Sequence, residues 1–415
     1  METQWTDTLP SGWSFKQIRH IFKIHNGATP KSGEPEFWNG DINWITPEDL
    51  GHNENKEISE SRRKITPQGY ENSGVSLAPA GSIALSTRAP IGHLAKTTIP
   101  ACVNQGCRLL EPMEGNPDYW YYASIAAKPI LVSHGQGTTF MELPRQSLAA
   151  IKLPVPPLEE QQTIARFLDH KTAQIDALIA KKRALLDKLA EKRTALISHA
   201  VTNGLNPGAP MKDSGVAWLG EIPAHWEAKR LKFATDLINI KISADDSSLP
   251  YIGLEHIESW TGRKIDGEIS NSEGLASSFS SGDVLFGKLR PYLAKVHLAE
   301  QDGLITSEAL VIRSKKELHS KFLKFYMLSR DFIDIVDSST YGSKMPRANW
   351  DFIGNLPVLL PDIKEQEAIA NFLDFQTKQF DGQAQKINEA INRLNEYRAA
   401  LITNAVTGKI DVRSL

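Results

Sequence analysis

The stretch NGATPKSGEPEFWNGDINWITPEDL, residues 26–50, places Thr29, Lys31 and Ser32 in a segment dense in Gly, Pro and Asn. ESRRKITPQG (60–69) adds Arg62 and Arg63, STRAPIG (86–92) adds Arg88, NQG (104–106) adds Gln105, and GTTF (137–140) adds Thr138 and Thr139. Further along, FGKLRPYLAK offers Lys288 and Arg290, and GSKMPRANW offers Lys344 and Arg347. Cationic side chains on loops reach phosphates or guanine edges, and Asn or Gln reads adenine. The chemistry on offer is therefore recognition of a nucleic acid. Taken singly, each of these residues reads better as a solvated surface group than as a nucleic-acid contact. Trp38 and Trp44 are more often core anchors than stacking platforms.

Bond-making chemistry finds no foothold. There is no Walker A loop and no H-E-x-x-H, no G-x-S-x-G elbow, no Asn/Asp-Pro-Pro-Tyr/Phe stretch, and no glycine-rich cofactor loop after a first strand. His52 and His134 stand in loop-like surroundings without a spaced partner. The two cysteines, Cys102 and Cys107, form a lone C-x4-C with no second ligand pair, which fits a reduced cytoplasmic protein better than a metal site. No apolar run approaches a membrane span, and METQWTDTLPSGW lacks the features of a signal peptide. With a net charge of −2, any nucleic-acid binding must rest on local positive charge or on partners that supply phosphate contacts.

The elements that must position these residues come in two copies. LEEQQTIARFLD (158–169) and IKEQEAIANFLD (363–374) share E-Q-x-x-I-A-x-F-L-D, 205 positions apart in 415 residues. The same register relates ALISHAVTNGL to ALITNAVTGKI, while LPSGWSFKQIRHIF and IPAHWEAKRLKFAT each carry Pro three residues before Trp. Ile164, Phe167, Leu168, Ile175, Leu189 and Leu196 in one segment, and Ile369, Phe372, Leu373, Phe380, Ile387, Leu394 and Leu401 in the other, follow heptad-type patterning and predict long helices that pair through this seam. A helix of 40 residues is about 60 Å long, longer than a domain of ~150 residues, so the two helices are expected to pack antiparallel on each other. GSIALSTRAPIGHLAKTT and GDVLFGKLRPYLAKVHL read as strand-loop-strand, and PDYWYYASIAAKPILVSH and ELHSKFLKFYMLSRDFIDIV as helical. The expected organisation is a mixed α/β domain over 1–157, a spacer helix over 158–204, a linker over 205–221, a second α/β domain over 222–361 and a second spacer helix over 362–410. This makes a pseudo-two-fold tandem repeat, with a domain at each end of the helix pair.

With these motifs in hand, the chain resembles the specificity subunit of type I restriction-modification systems over nearly its full length. The resemblance rests on GATP with the following FWNGDINWITPEDL, on STRAPIG, NQG, GTTF and LPVPPLEEQ, and on the linker HAVTNGLNPGAPMKDSGVAWLGEIPAHW. It implies that each domain is a target-recognition domain reading one half of a bipartite, asymmetric site in double-stranded DNA. It implies that the helices set the gap and dock two methyltransferase subunits, which support restriction-translocase subunits. The chain would have no catalysis or cofactor of its own, with S-adenosylmethionine, ATP and Mg used by the partners. The second domain departs from the pattern: FATDLINIKISADD lacks G-x-T-P, and GSKMPRANW stands where the first domain has GTTF. Two other classes remain open from the residues alone. One is a scaffold that pairs two partner-binding domains without DNA. The other is an enzyme that modifies DNA unaided.

Overall fold

The structure, a computed structural model, describes residues 9–88, 90–137, 141–244, 247–265, 267, 274–342 and 344–412. The chain divides into two compact units: unit 1 runs to Lys181 and resumes at Ala390, and unit 2 is Lys182–Glu389. The division falls inside the two long helices, Leu158–Asn203 and Ile363–Val406. Each unit is therefore a globular domain together with a stretch of both helices.

In unit 1 a five-stranded sheet runs in the order Phe22–Asn26, Cys107–Pro112, Ile83–Ser86, Leu94–Thr97, Glu57–Ile58. The central strand Ile83–Ser86 is buried along its whole length, which is why it reads as an apolar run rather than an alternation. A second sheet sets Trp38–Ile45 between Lys64–Ile65 and Ala101–Val103. The region read as one helix over 117–134 is two, Pro117–Ala126 and Lys128–Ser133. Pro129 at the start of the second has no N–H to continue the first.

Unit 2 holds two four-stranded sheets. One runs Thr235–Ile238, Ala309–Ser314, Val284–Gly287, Val296–Leu298, and the other Lys241–Ser243, Leu275–Phe279, Gly303–Thr306, Tyr251–Ile252. Its helical region is again two helices, Ser320–Met327 and Arg330–Ser338. The stretch 205–221, read as a linker, contributes an antiparallel pair between Met211–Asp213 and Glu221–Pro223, and Leu219 and Ile222 join the core. That core also takes in Trp226, Phe286, Phe322, Phe325, Tyr326 and Phe332, with Ile197 and Val201 from one long helix and Ile369 and Leu373 from the other. The domain thus rests on both helices at once.

Within each unit the helix segments run antiparallel. In unit 1, Ile164, Leu168, Ile175 and Ile179 are buried, as are Ile391, Leu401 and Ile402. In unit 2 the buried set is Ile197, Ala200 and Val201 with Ile369, Ala370, Leu373 and Phe380. Phe167, Leu189, Leu196, Phe372, Ile387 and Leu394 are half-buried. The seam alternates steps of three and four residues, as heptad packing requires, so Leu178 and Leu185 fall on the outer face and are exposed.

Two positions in the seam are charged. In unit 2, Arg193 meets Asp381 at 2.5 Å; in unit 1, Arg398 meets Asp176 at 2.9 Å. Arg398 lies 205 positions after Arg193, and Asp381 lies 205 after Asp176. Each unit therefore carries the same arginine–aspartate pair at equivalent places in the repeat.

Candidate nucleic-acid interface

The loops that carry the candidate residues are held by rigid elements, and the shared phrase is what fixes those elements to the helices. Gln161 Oε1 accepts from Asn116 N, which caps the helix Pro117–Ala126, while its Nε2 donates to the Pro156 carbonyl, both at 2.9 Å. Gln366 does the same in unit 2: Oε1 accepts from His319 N at 2.8 Å, and Nε2 donates to the Pro361 and Glu317 carbonyls at 2.9 Å. Both glutamines are buried, so leaving these groups unpaired would cost about 1–3 kcal/mol each. The preceding glutamates reach the Pro-x-x-Trp turns. Trp13 Nε1 donates to Glu160 at 3.0 Å, and His225 Nε2 lies 2.8 Å from Glu365. The closing aspartates take domain lysines: Asp169 pairs with Lys56 at 2.5 Å, and Asp374 with Lys321 at 3.1 Å. Beyond the helix dipole expected to favour acid in the first turn, the phrase is a clamp that seats a domain on its helix.

The far end of the other helix closes each clamp. Gly408 (φ +71°) packs against Pro10 and Trp13, and Gly204 (φ +74°) packs against Trp226. A left-handed C-terminal residue without a side chain fits both the conformation and the space.

In unit 1 the tryptophans are core anchors that position a loop. Trp38 and Trp44 pack edge to face at 5.1 Å, both buried. Trp44 Nε1 donates to the Ala28 carbonyl (2.9 Å) and Trp38 Nε1 to the Lys31 carbonyl (3.2 Å). This pins the turn that presents Thr29, Lys31 and Ser32, all exposed. Gly27 is required there, since a Cβ would meet the Asn104 carbonyl oxygen at 1.8 Å. Thr29 Oγ1 donates to Gln105 Oε1, and the 104–106 turn adjoins Thr87 through Thr87 N to Gly106 O at 2.8 Å. Thr29, Gln105 and Arg88 are thereby gathered on one edge. Thr138 and Thr139 lie outside the described residues.

The basic candidates divide by their partners. Arg62 is tied to Glu48 and Asp49 at 3.0 and 3.2 Å, Arg88 to Glu142 at 2.8 Å, and Arg347 through two nitrogens to Glu308 at 2.9 and 3.3 Å. These ion pairs brace loops. Arg63 stacks its guanidinium 3.8 Å over the Trp38 ring. Lys31, Lys288, Arg290 and Lys344 have no carboxylate within ion-pair distance among the described residues. Arg290 sits at φ +52° before Pro291 and Ala294 at φ +45° after the turn. A left-handed non-glycine residue costs about 1–3 kcal/mol, so the fold spends stability to present this loop. The backbone of Arg347 pairs with Leu289 and Tyr341, which brings the two loops of unit 2 together.

Sequence reasoning passed over several neighbours. Tyr292, Tyr341 and Met345 are exposed on the same loops as Arg290 and Lys344; aromatic residues interleaved with basic ones were the available signal. In unit 1 a groove of 710 Å³ is lined by Trp44, Asp49, His52, Arg63, His93 and Asn104, among others. Burial, with Lys128 nearby, lowers the His93 pKa, and its buried Nδ1 has no hydrogen-bond partner. Asp49 is buried. Burial raises its pKa, but bonds from Thr46 and Arg62 outweigh that and hold it below the ordinary value. Its role was legible in TPED, a capping-box pattern realised by Thr46 and Asp49. Burial pushes the Cys102 thiol up to about 12 and raises that of Cys107 further, so both thiols are held protonated. No cluster of His, Cys, Asp and Glu suited to a metal, and no helix long and apolar enough to cross a membrane, occurs among the described residues.

Comparison with known proteins bears on this geometry directly. A family model described as the type I restriction modification DNA specificity domain matches residues 10–188 and 235–393. The type I restriction enzyme MjaIX specificity subunit of Methanocaldococcus jannaschii is 26% identical over 453 residues, covering 100% of this chain and 98% of that protein. The EcoDI specificity subunit of Escherichia coli is 24% identical over 421 residues, covering 97% and 89%. A solved structure from work on complex assembly and conformational transition of the type I R-M system shares the fold. Its TM-score is 0.69 at 14% identity, over 97% of this chain and 100% of that one.

Proposed function

The chain belongs to the type I restriction modification DNA specificity family, and from that premise we propose that it reads a bipartite site in double-stranded DNA, one half with each unit. The supporting observation is that each unit presents on loops cations with no carboxylate partner among the described residues: Lys31 with the stacked Arg63 in unit 1, and Lys288, Arg290 and Lys344 in unit 2. The two loop sets differ in sequence, as two different half-sites require. The helices that carry the clamps act as the ruler between the half-sites. One added turn lengthens a helix by about 5.4 Å, against a DNA rise of about 3.4 Å per base pair.

In this reading two methyltransferase subunits dock on the helices, and restriction-translocase subunits join them in the cytoplasm. Those partners use S-adenosylmethionine, ATP and Mg, carry out adenine methylation and cleavage, and supply much of the phosphate contact. That division of labour accounts for a recognition chain whose net charge is −2. The test is duplex binding by the chain assembled with its methyltransferase partner, over a randomised pool. Enrichment of two short sequences separated by a fixed gap is expected. Binding without sequence preference would refute the proposal.

A further inference from the structure

Unit 2 contains a recess that none of the loop candidates Lys288, Arg290, Lys344 and Arg347 lines. This cleft of 600 Å³ lies where the domain meets the helices and is walled by Arg193, Arg263, Lys264, Lys321, Lys324 and Lys378. Three carboxylates face them, Asp374, Asp381 and Glu300. Asp374 is shared by Lys321 and Lys324 at 3.1 and 3.5 Å, and Asp381 by Arg193 and Arg263 at 2.5 and 3.4 Å. Lys264 and Lys378 have no carboxylate in reach among the described residues, and both are exposed. Arg263 is also held by Glu258 at 2.6 Å, so among the described residues six cations stand against four carboxylates and positive charge is in excess. Arg193 is 7% exposed, and its buried Nε has no hydrogen-bond partner.

Unit 1 arranges its charges differently at the equivalent place. At the equivalent helix position, 205 residues earlier, Lys378 is replaced by Ala173. Counted from the capping residues that bond Gln161 and Gln366, Lys321 and Lys324 correspond to Asp118 and Tyr121. In unit 1 the equivalent aspartate, Asp169, is held by Lys56, and the charges of Lys56 and Lys96 are matched by Asp118 and Glu57, with no lysine at the position of Lys378. Like charges gathered in excess of carboxylates disfavour the empty state, and an anion relieves that cost. Burial, reinforced by Lys321 and Arg193, lowers the Lys324 pKa despite Asp374. The lining also includes the apolar Ile252 and Leu298, and the volume suits a ligand of nucleotide size.

We propose that this cleft of unit 2 binds a small phosphate-class polyanion of nucleotide size, held by Lys264, Lys378, Lys324 and Arg193. The test is calorimetric titration of the full chain with pyrophosphate and with ATP in the absence of divalent metal. Saturable binding is expected. The double variant Lys264→Ala/Lys378→Ala should weaken it about tenfold, because two charge-assisted contacts are lost. The pair Lys364→Ala/Lys386→Ala, exposed lysines of the same unit outside the cleft, should leave it unchanged. Absence of saturable binding would overturn the proposal, as would equal loss in both pairs. Displacement by duplex DNA, or equal affinity for an oligo-aspartate, would reassign the cations to a macromolecular contact and overturn it as well.

Discussion

The repeated arginine–aspartate pair should be worth very different amounts in its two settings. Arg193 and Asp381 have side chains 8% and 21% exposed, whereas Arg398 and Asp176 are 28% and 52% exposed. Arg193 also donates to the Thr261 carbonyl at 3.1 Å, so it joins helix to helix and helix to domain. Breaking a buried pair by removing one partner costs about 3–5 kcal/mol. Arg263 remains 3.4 Å from Asp381 and softens the loss, so Arg193→Met should cost about 3 kcal/mol. Arg398→Met should cost less than about 1 kcal/mol, as exposed pairs do. The double replacement Arg193→Met/Asp381→Leu should recover part of the loss, because the uncompensated charge is gone. The assay is native-state hydrogen exchange, since a two-unit chain has no single unfolding free energy. Protection should fall strongly around residues 190–200 in the first variant and barely around 395–405 in the second. Equal losses in the two, or a larger loss from Arg398→Met, would refute the burial argument.

Gln161→Leu and Gln366→Leu should each release the domain helix cap in their own unit, at about 1–3 kcal/mol, read as lost exchange protection at 116–122 or 319–325 respectively. Arg290→Ala and Lys344→Ala should each reduce the salt slope of duplex binding by roughly 0.9 without lowering thermal stability, whereas Arg347→Ala should lower stability because it strips Glu308 of its partner. Asp49 has a folded pKa below its unfolded value, so its stabilisation is complete above the ordinary carboxylate range of about 3.9 and is lost as pH falls through the lower folded value. Asp49→Asn should therefore be less stable at pH 7 and show a flatter acid-side stability profile between about pH 5 and 2; an unchanged profile would count against the hydrogen-bond geometry around Thr46 and Arg62.

The parts of the fold legible in the sequence were those set by local periodicity. The heptad rows around Leu168 and Leu373 declare long paired helices because every third or fourth residue must face the seam. What lay beyond reach were the pairings between distant residues. Nothing local distinguishes Arg88, bonded to Glu142 54 positions away, or Arg347, bonded to Glu308 39 positions away, from Arg290, which has no carboxylate partner among the described residues. The role of Gln161 was hidden for the same reason: its partner Asn116 lies 45 positions upstream. The strands at Met211–Asp213 and Glu221–Pro223 are three residues each, too short for an alternation to register. Exposed Met345 became part of the candidate surface only once its burial was known.

The central claim is that each unit reads its own half of one DNA site. The direct measurement exchanges residues 14–155 for those of a relative with different specificity and maps methylated bases in the genome of the host. The account requires one half of the methylated sequence to change while the other half and the gap stay as they were. A change in both halves, or no change in either, would contradict it.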